Sequence, residues 1–136
     1  MKKLGYNTNL AAEYHVLSML YRKGKNAYLT LGNKKSIDIV VDHGTRTSTI
    51  DVKGMVSKTL WPLDNFKGAR KNHWIALVTF LNKIENHKTA PQTFILPSSK
   101  VRSLMYHNPK GSRQGIRYSA MIHRAKQYLE AWDLIR

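Results

Sequence analysis

The sequence predicts an α/β fold in which a mixed central β-sheet is flanked by helices, within a single domain spanning residues 1–136. One supporting observation is the near-continuous apolar run at residues 74–80, which is typical of a central strand buried on both faces. A second is a pair of β-like runs that flank Gly44 and predict an antiparallel hairpin. The third is helical periodicity near both ends of the chain, which places helices around the sheet.

The first helix is predicted at residues 10–21, because N-cap residues precede it and Gly24 follows it as a C′ glycine. Its apolar side chains are expected to face the core: Leu10, Tyr14, Leu17, Leu20 and Tyr21. Glu13 lies within or beside that stripe, and two interpretations of it remain open. Its carboxylate either favours the helix dipole or leans toward acidic groups on the sheet.

The hairpin is expected to bring two acidic side chains together. A II′ turn beginning at Gly44 sets a register in which Asp38 lies directly opposite Asp51. Opposed residues point to the same face with Cβ atoms roughly 5 Å apart. Alternation with period two adds Lys53 to that face and points Val52 into the core. Two carboxylates side by side repel each other unless a proton, a cation or Lys53 compensates, and this is a geometry that suits Mg²⁺.

The spacing from Asp38 to the run Asp51-Val52-Lys53 resembles the motif of the PD-(D/E)XK nuclease superfamily. Asp38 matches the first acid of that motif, Asp51 the second acid and Lys53 the lysine. Ile37 stands where the name-giving proline would be. By order of elements the resemblance covers roughly residues 7–96, and it implies a restriction-endonuclease-like fold. The short basic chain with its N-terminal glutamate and hairpin motif looks most similar to archaeal Holliday-junction resolvases and their relatives.

This resemblance implies a metal-dependent catalytic site. Asp38 and Asp51 would hold one or two divalent ions, with Mg²⁺ expected from their hard oxygen chemistry and Mn²⁺ as a substitute. The backbone carbonyl of Val52 would be a further metal ligand. In this superfamily an acid on the first helix, here Glu13, often completes the site. Lys53 would orient or deprotonate the attacking water, or neutralise developing charge.

The charge of the chain points to a polyanionic partner. It carries 23 Lys and Arg against 8 Asp and Glu, a formal net charge of +15. So strong an excess favours nucleic acid, here DNA, over an anionic membrane surface. The absence of cysteine excludes disulfides and Cys-zinc sites. No signal-peptide pattern or membrane-spanning run is visible, so a cytoplasmic location without a membrane partner is expected.

A basic and aromatic segment follows the motif lysine. Its cations interleave with two large aromatic residues: Lys58, Lys67, Arg70 and Lys71, with Trp61 and Phe66. Such a mixture can stack on bases and contact phosphates. The alternative, which we favour, is that both aromatic residues pack in the core.

Several further elements complete the predicted domain. Short strands are expected at residues 27–31 and 93–96, and helices at residues 64–70, after Ser98, and at residues 119–135. Residues 110–117 are expected to form a flexible basic loop. Lys34 and Lys35 are expected in a solvated turn, with phosphate contact as the alternative.

The sequence therefore predicts a Mg²⁺-dependent endodeoxyribonuclease, a hydrolase acting on DNA, with branched or junction DNA among its candidate substrates. One alternative is a non-catalytic nucleic-acid-binding module that retains the fold. Another is a subunit of a larger nuclease assembly. The complete set of two acids and a lysine argues against the first alternative. A resolvase-like role would need a homodimer to cut two strands symmetrically.

Overall fold

The computed structural model describes residues 5–30, 37–111 and 113–136. Within these ranges the helices are α1 (Thr8–Arg22), α2 (Val101–Leu104) and α3 (Tyr118–Arg124), and none of them is long and apolar enough to cross a bilayer. The strands are β1 (Asn26–Leu29), β2 (Ile39–Asp42), β3 (Thr47–Met55), β4 (Leu60–Pro62), β5 (His73–Thr79), β6 (Gln92–Pro97), β7 (Met105–His107) and β8 (Gln114–Arg117). The predictions for Lys34, Lys35 and the end of the first strand at Leu31 lie outside the described residues.

The central sheet has the order β1-β2-β3-β5-β6 and is mixed, as the sequence predicts. Strands β1, β2 and β3 pair antiparallel, β3 and β5 pair parallel, and β5 and β6 pair antiparallel. A smaller antiparallel sheet has the order β4-β8-β7. The parallel pairing of β3 and β5 matters for the candidate site described below, because it fixes which residues of the two strands lie side by side.

The two faces of the central sheet bury different partners. Along β5, Ala76 and Val78 belong to a core shared with α1, whereas Ile75 and Leu77 belong to a second core. That second core includes Trp61 of the smaller sheet. Successive strand residues point to opposite faces, so α1 covers one face and the smaller sheet covers part of the other.

The prediction that five side chains of the first helix face the core is wrong for most of them. Leu10, Tyr14 and Tyr21 are exposed, whereas Leu20 is buried as predicted, together with Ala12 and Val16. The reason is a close approach of α1 to β3. A Cβ added at Gly54 would lie 2.8 Å from the Cβ of Ala12, so only small side chains fit at this contact.

The predicted C-terminal helix at residues 119–135 is also wrong, because α3 ends at Arg124 and short 3₁₀ turns follow. The backbone of this segment forms only short 3₁₀ hydrogen bonds and also bonds to the edge of β6, so no α-helix continues through it. The N–H of Glu130 donates to the carbonyl of Thr93 at 2.7 Å, and the Glu130 carboxylate accepts the N–H of Thr93 at 2.6 Å. The sequence periodicity of Ile122, Ala125 and Leu129 therefore reflects burial without a continuous helix.

Two further predictions in the middle of the chain are corrected. Residues 64–70 form no helix, and the carboxylate of Asp64 caps the N–H of Gln114 at 2.8 Å. The predicted flexible loop contains β8, in which Gly115 lies too close to the carbonyl of Trp61 to accept a Cβ. Trp61 is fully buried, and its Nε1–H donates to the carbonyl of Val78 at 2.9 Å. The packing interpretation of Trp61 is therefore confirmed.

Candidate active site

The hairpin of β2 and β3 has the predicted register. Ile39 pairs with Ile50 and Asp42 with Thr47, and the N–H of His43 donates to the carbonyl of Arg46 at 2.9 Å. Gly44 has a φ of 89°. A II′ turn requires a positive φ at its first central position, so the glycine sets the pairing that the sequence predicts.

The pairing ends before it reaches Asp38, which corrects the predicted opposition of Asp38 and Asp51. The N–H of Asp38 donates to the carbonyl of Ile50 at 2.8 Å, so the backbone turns out of the regular ladder. Its carboxylate instead accepts the N–H of Val52 at 2.7 Å. Because β2 begins at Ile39 while β3 continues to Met55, this carboxylate takes the place of a strand partner.

Asp51 and Lys53 share one face of β3, as predicted from strand alternation. The Nζ of Lys53 lies 3.7 Å from Oδ2 of Asp51, and Asp51 is only 8% exposed. Val52 points to the other face and packs in the core beneath α1. The positive charge of Lys53 therefore compensates the carboxylate of Asp51 but not that of Asp38. If the protein were not catalytic, this ion pair would be the structural role of Lys53.

Glu13 joins the two aspartates from α1. It is the sixth residue of the helix, and the first turn contains no acidic residue, so the helix-dipole interpretation has little support. Burial, followed by a hydrogen bond and charge repulsion from Asp38, raises the pKa of the Glu13 carboxyl to about 7. The negative charge of Asp51 adds to this shift, and Lys53 opposes it. Glu13 therefore belongs to the same electrostatic cluster as Asp38 and Asp51.

The carboxyl group of Asp51 is perturbed in the same direction. Burial raises its pKa to about 7 in spite of the opposing charge of Lys53. A hydrogen bond and charge repulsion from Asp38 also raise it, and the positive charge of Arg70 lowers it. Three of the 8 acidic residues, Glu13, Asp38 and Asp51, therefore lie close together. Their mutual repulsion is unfavourable unless a proton or a cation compensates it.

The donor set has the chemistry that Mg²⁺ prefers, although no metal cage is preformed. In the part of the chain that the structure describes, no three His, Asp or Glu side chains are arranged to hold a metal ion together. Mg²⁺ is commonly bound through one or two carboxylates, with water and substrate phosphate oxygens completing its shell. In a β-strand the N–H and C=O of one residue point toward the same neighbouring strand. The carbonyl of Val52 therefore points to the same side of β3 as its N–H, which donates to the carboxylate of Asp38. Asp38, Asp51, Glu13 and this carbonyl fit such a partial oxygen site.

The sequence placed Arg70 among several cations that could contact phosphates, and it gave no role to its neighbour His73. Both line a cavity of about 140 Å³ together with Asp51 and Lys67. The parallel register of β3 and β5 places His73 beside Thr49, two residues before Asp51. That register depends on a crossover between distant segments, so local sequence patterns do not reveal it. The only sequence signal was the position of Arg70 in the basic and aromatic segment.

Comparison with known proteins finds a likeness in structure alone. No protein-family model matches the chain, and no curated protein matches it. The solved structure of a bacterial homing endonuclease, I-Ssp6803I, is similar over 97% of this chain and 92% of that chain. The TM-score is 0.61 and the sequence identity is 18%. The chain therefore has the fold of a bacterial homing endonuclease.

Proposed function

We propose that this protein is a divalent-metal-dependent endonuclease that hydrolyses phosphodiester bonds in DNA. The observation that carries the proposal is the gathering of Glu13, Asp38 and Asp51 beside Lys53, with two of the carboxyl pKa values raised to about 7. The net charge of +15 supports a polyanionic substrate. The fold shared with a homing endonuclease supports DNA cleavage as the reaction class.

Each residue of the cluster has a distinct role in this proposal. Asp38 and Asp51, with Glu13 and the Val52 carbonyl, would hold Mg²⁺, for which Mn²⁺ would substitute. The bound ion would supply positive charge to the phosphoryl oxygens. Released from its ion pair with Asp51, Lys53 would either orient the attacking water as a cation or, as a neutral amine, accept the proton of that water.

The order of two acids and a lysine on one hairpin supports placing the chain in the PD-(D/E)XK superfamily. Cleavage of branched or junction DNA is the finer form of the proposal, and it rests on the resemblance to resolvases. The site contributed by one chain would act on one strand, so symmetric cleavage of a duplex or a junction would use a homodimer.

The Lys53–Asp51 ion pair supports a second candidate, a nucleic-acid-binding module that retains the fold without catalysis. In that case Lys53 remains the partner of Asp51, and metal ions change neither the stability of the protein nor its DNA binding. The lack of a preformed three-ligand group among the described residues is consistent with this candidate. A subunit of a larger nuclease assembly would behave in the same way when purified alone.

A panel of linear, branched and single-stranded DNAs, incubated with the purified chain, separates these candidates. The proposal expects cleavage of at least one DNA with Mg²⁺ and none with EDTA. Binding without cleavage under every metal condition would instead support the non-catalytic module. Analytical ultracentrifugation of the active protein with and without junction DNA would show whether two copies assemble on the substrate.

A further inference from the structure

The cavity beside Asp51 is large enough for a phosphate group. Its volume is about 140 Å³, whereas a single water needs only ~10–15 Å³ of such space. The acidic residue Asp51 and the cationic residues Arg70 and Lys67 all line this cavity. An anion entering this space would therefore meet positive charge next to the candidate metal-binding acid.

The backbone of Arg70 is held in place by a buried serine. The hydroxyl of Ser98 accepts the N–H of Arg70 at 2.9 Å and donates to the carbonyl of Arg70 at 2.9 Å. Ser98 is 2% exposed. Both hydrogen bonds of the Ser98 hydroxyl therefore fix the backbone position from which the Arg70 side chain extends.

The guanidinium group of Arg70 is held by His73. Nη2 of Arg70 lies 3.0 Å from Nε2 of His73. A guanidinium can only donate, so Nε2 accepts this hydrogen bond. The proton of the ring is then on Nδ1, which lies 2.7 Å from the hydroxyl oxygen of Thr49.

His73 is a neutral support in this arrangement. It is 4% exposed. Burial, and then the positive charge of Arg70, lower the pKa of His73 to about 4. The charge at this position therefore belongs to Arg70, and the chain from Thr49 through His73 orients it without adding a second charge.

We propose that Arg70, positioned by Ser98 and His73, binds the two non-bridging oxygens of the DNA phosphodiester that enters the cavity beside Asp51. The proposal rests on the proposed nuclease function for the identity of its substrate. The planar fork of a guanidinium matches two phosphate oxygens. During hydrolysis the water oxygen bonds to phosphorus and the bond to the leaving oxygen breaks. Arg70 would stabilise the charge on the phosphoryl oxygens as this occurs.

The first test needs no cleavage. Inorganic phosphate is titrated into the metal-free protein, and the ring resonances of His73 are followed by NMR. We expect saturable shifts in wild type and in Lys83→Ala, which removes a cation from the turn that follows β5, beyond the strand end opposite His73. We expect no saturable shift in Arg70→Lys, in which the charge remains but the fork is lost. Equal shifts in Arg70→Lys and wild type would overturn the proposal.

The second test measures steady-state cleavage with Mg²⁺. Removing one preorganised donor from a developing oxyanion typically lowers kcat by about 100-fold or more, and we expect that loss for Arg70→Ala. His73→Gln keeps a side-chain acceptor and should retain more of kcat than His73→Leu. If Arg70 is only structural, Arg70→Ala lowers Tm but keeps kcat at temperatures where it is folded, and that result would overturn the proposal.

The two tests fail separately. If the chain cuts no DNA but phosphate binds in an Arg70-dependent manner, the anion site stands and the proposed nuclease function falls. If the chain cuts DNA while phosphate leaves His73 unaffected and Arg70→Ala cleaves at the wild-type rate, the nuclease function stands and the anion site falls.

Discussion

Substitution of Asp51 by Asn should stabilise the metal-free protein at neutral and alkaline pH. The carboxyl group of Asp51 has a raised pKa because it is buried and lies beside Asp38. In the unfolded chain its pKa would return to the ordinary value of 3.8. An acid whose folded pKa exceeds its unfolded pKa makes the folded state lose stability as pH rises between those two values. Asn has nearly the same shape and carries no charge, so it removes this loss.

The size of the effect follows from the pKa difference. The pKa of Asp51 rises from 3.8 to about 7, and each pKa unit corresponds to ~1.4 kcal/mol. The ceiling is therefore ~4 kcal/mol of unfolding free energy above pH 7, and loss of the Lys53 ion pair reduces it. In a chain of this size ~1 kcal/mol moves Tm by about 3–5 °C, so Asp51→Asn should raise Tm by several degrees and by no more than about 20 °C.

Thermal melts in EDTA at pH 4 and pH 8 measure this prediction. The variant and wild type should differ little at pH 4, where the carboxyl is protonated, and the variant should melt higher at pH 8. Asp133→Asn is the matched control, because the side chain of Asp133 is 90% exposed, and it should show neither effect. Added Mg²⁺ should raise the Tm of wild type more than that of Asp51→Asn. A variant that melts below wild type at pH 8 would show that Asp51 is satisfied by its ion pair and needs no cation.

Three further predictions concern cleavage and binding. Glu13→Gln should weaken Mg²⁺-dependent cleavage and raise the Mg²⁺ concentration that cleavage requires, because one acid of the cluster loses its charge. An unchanged Mg²⁺ titration would remove Glu13 from the site. In single-turnover cleavage assays, Lys53→Ala should lower the cleavage rate far more than it changes the Mg²⁺ requirement. A changed Mg²⁺ requirement with little loss of rate would assign Lys53 to ion pairing alone. DNA affinity should fall by orders of magnitude between about 50 and 200 mM salt in filter-binding assays, because many cations contact phosphates; binding insensitive to salt would contradict this source of affinity.

The hairpin was predictable because its determinants are local. A glycine with positive φ sets the turn, and the register of β2 and β3 then follows along the strands. Strand alternation correctly placed Lys53 beside Asp51 and Val52 in the core. The position of Asp38 departs from the prediction, because its backbone leaves the ladder and its carboxylate replaces a strand partner of Val52.

Features that depend on distant contacts were not predictable in the same way. The apolar stripe with Leu10 and Tyr14 has ideal helical spacing, yet the helix turns its small residue Ala12 toward Gly54. The C-terminal periodicity suggested a helix, but an edge strand elsewhere in the chain uses the backbone of Glu130. Arg70 reaches the cavity beside Asp51 only through tertiary packing between separate segments.

Cleavage of plasmid DNA by wild type and Asp38→Asn is the most direct measurement of the central claim, that these acids form a metal-dependent catalytic site. Asn keeps an oxygen that can accept the N–H of Val52, so the variant should fold. We expect wild type to nick the plasmid with Mg²⁺ and to stop in EDTA. The variant should bind DNA at least as well as wild type and leave it uncut. Nicking in EDTA, or nicking by Asp38→Asn at the wild-type rate, would contradict the claim.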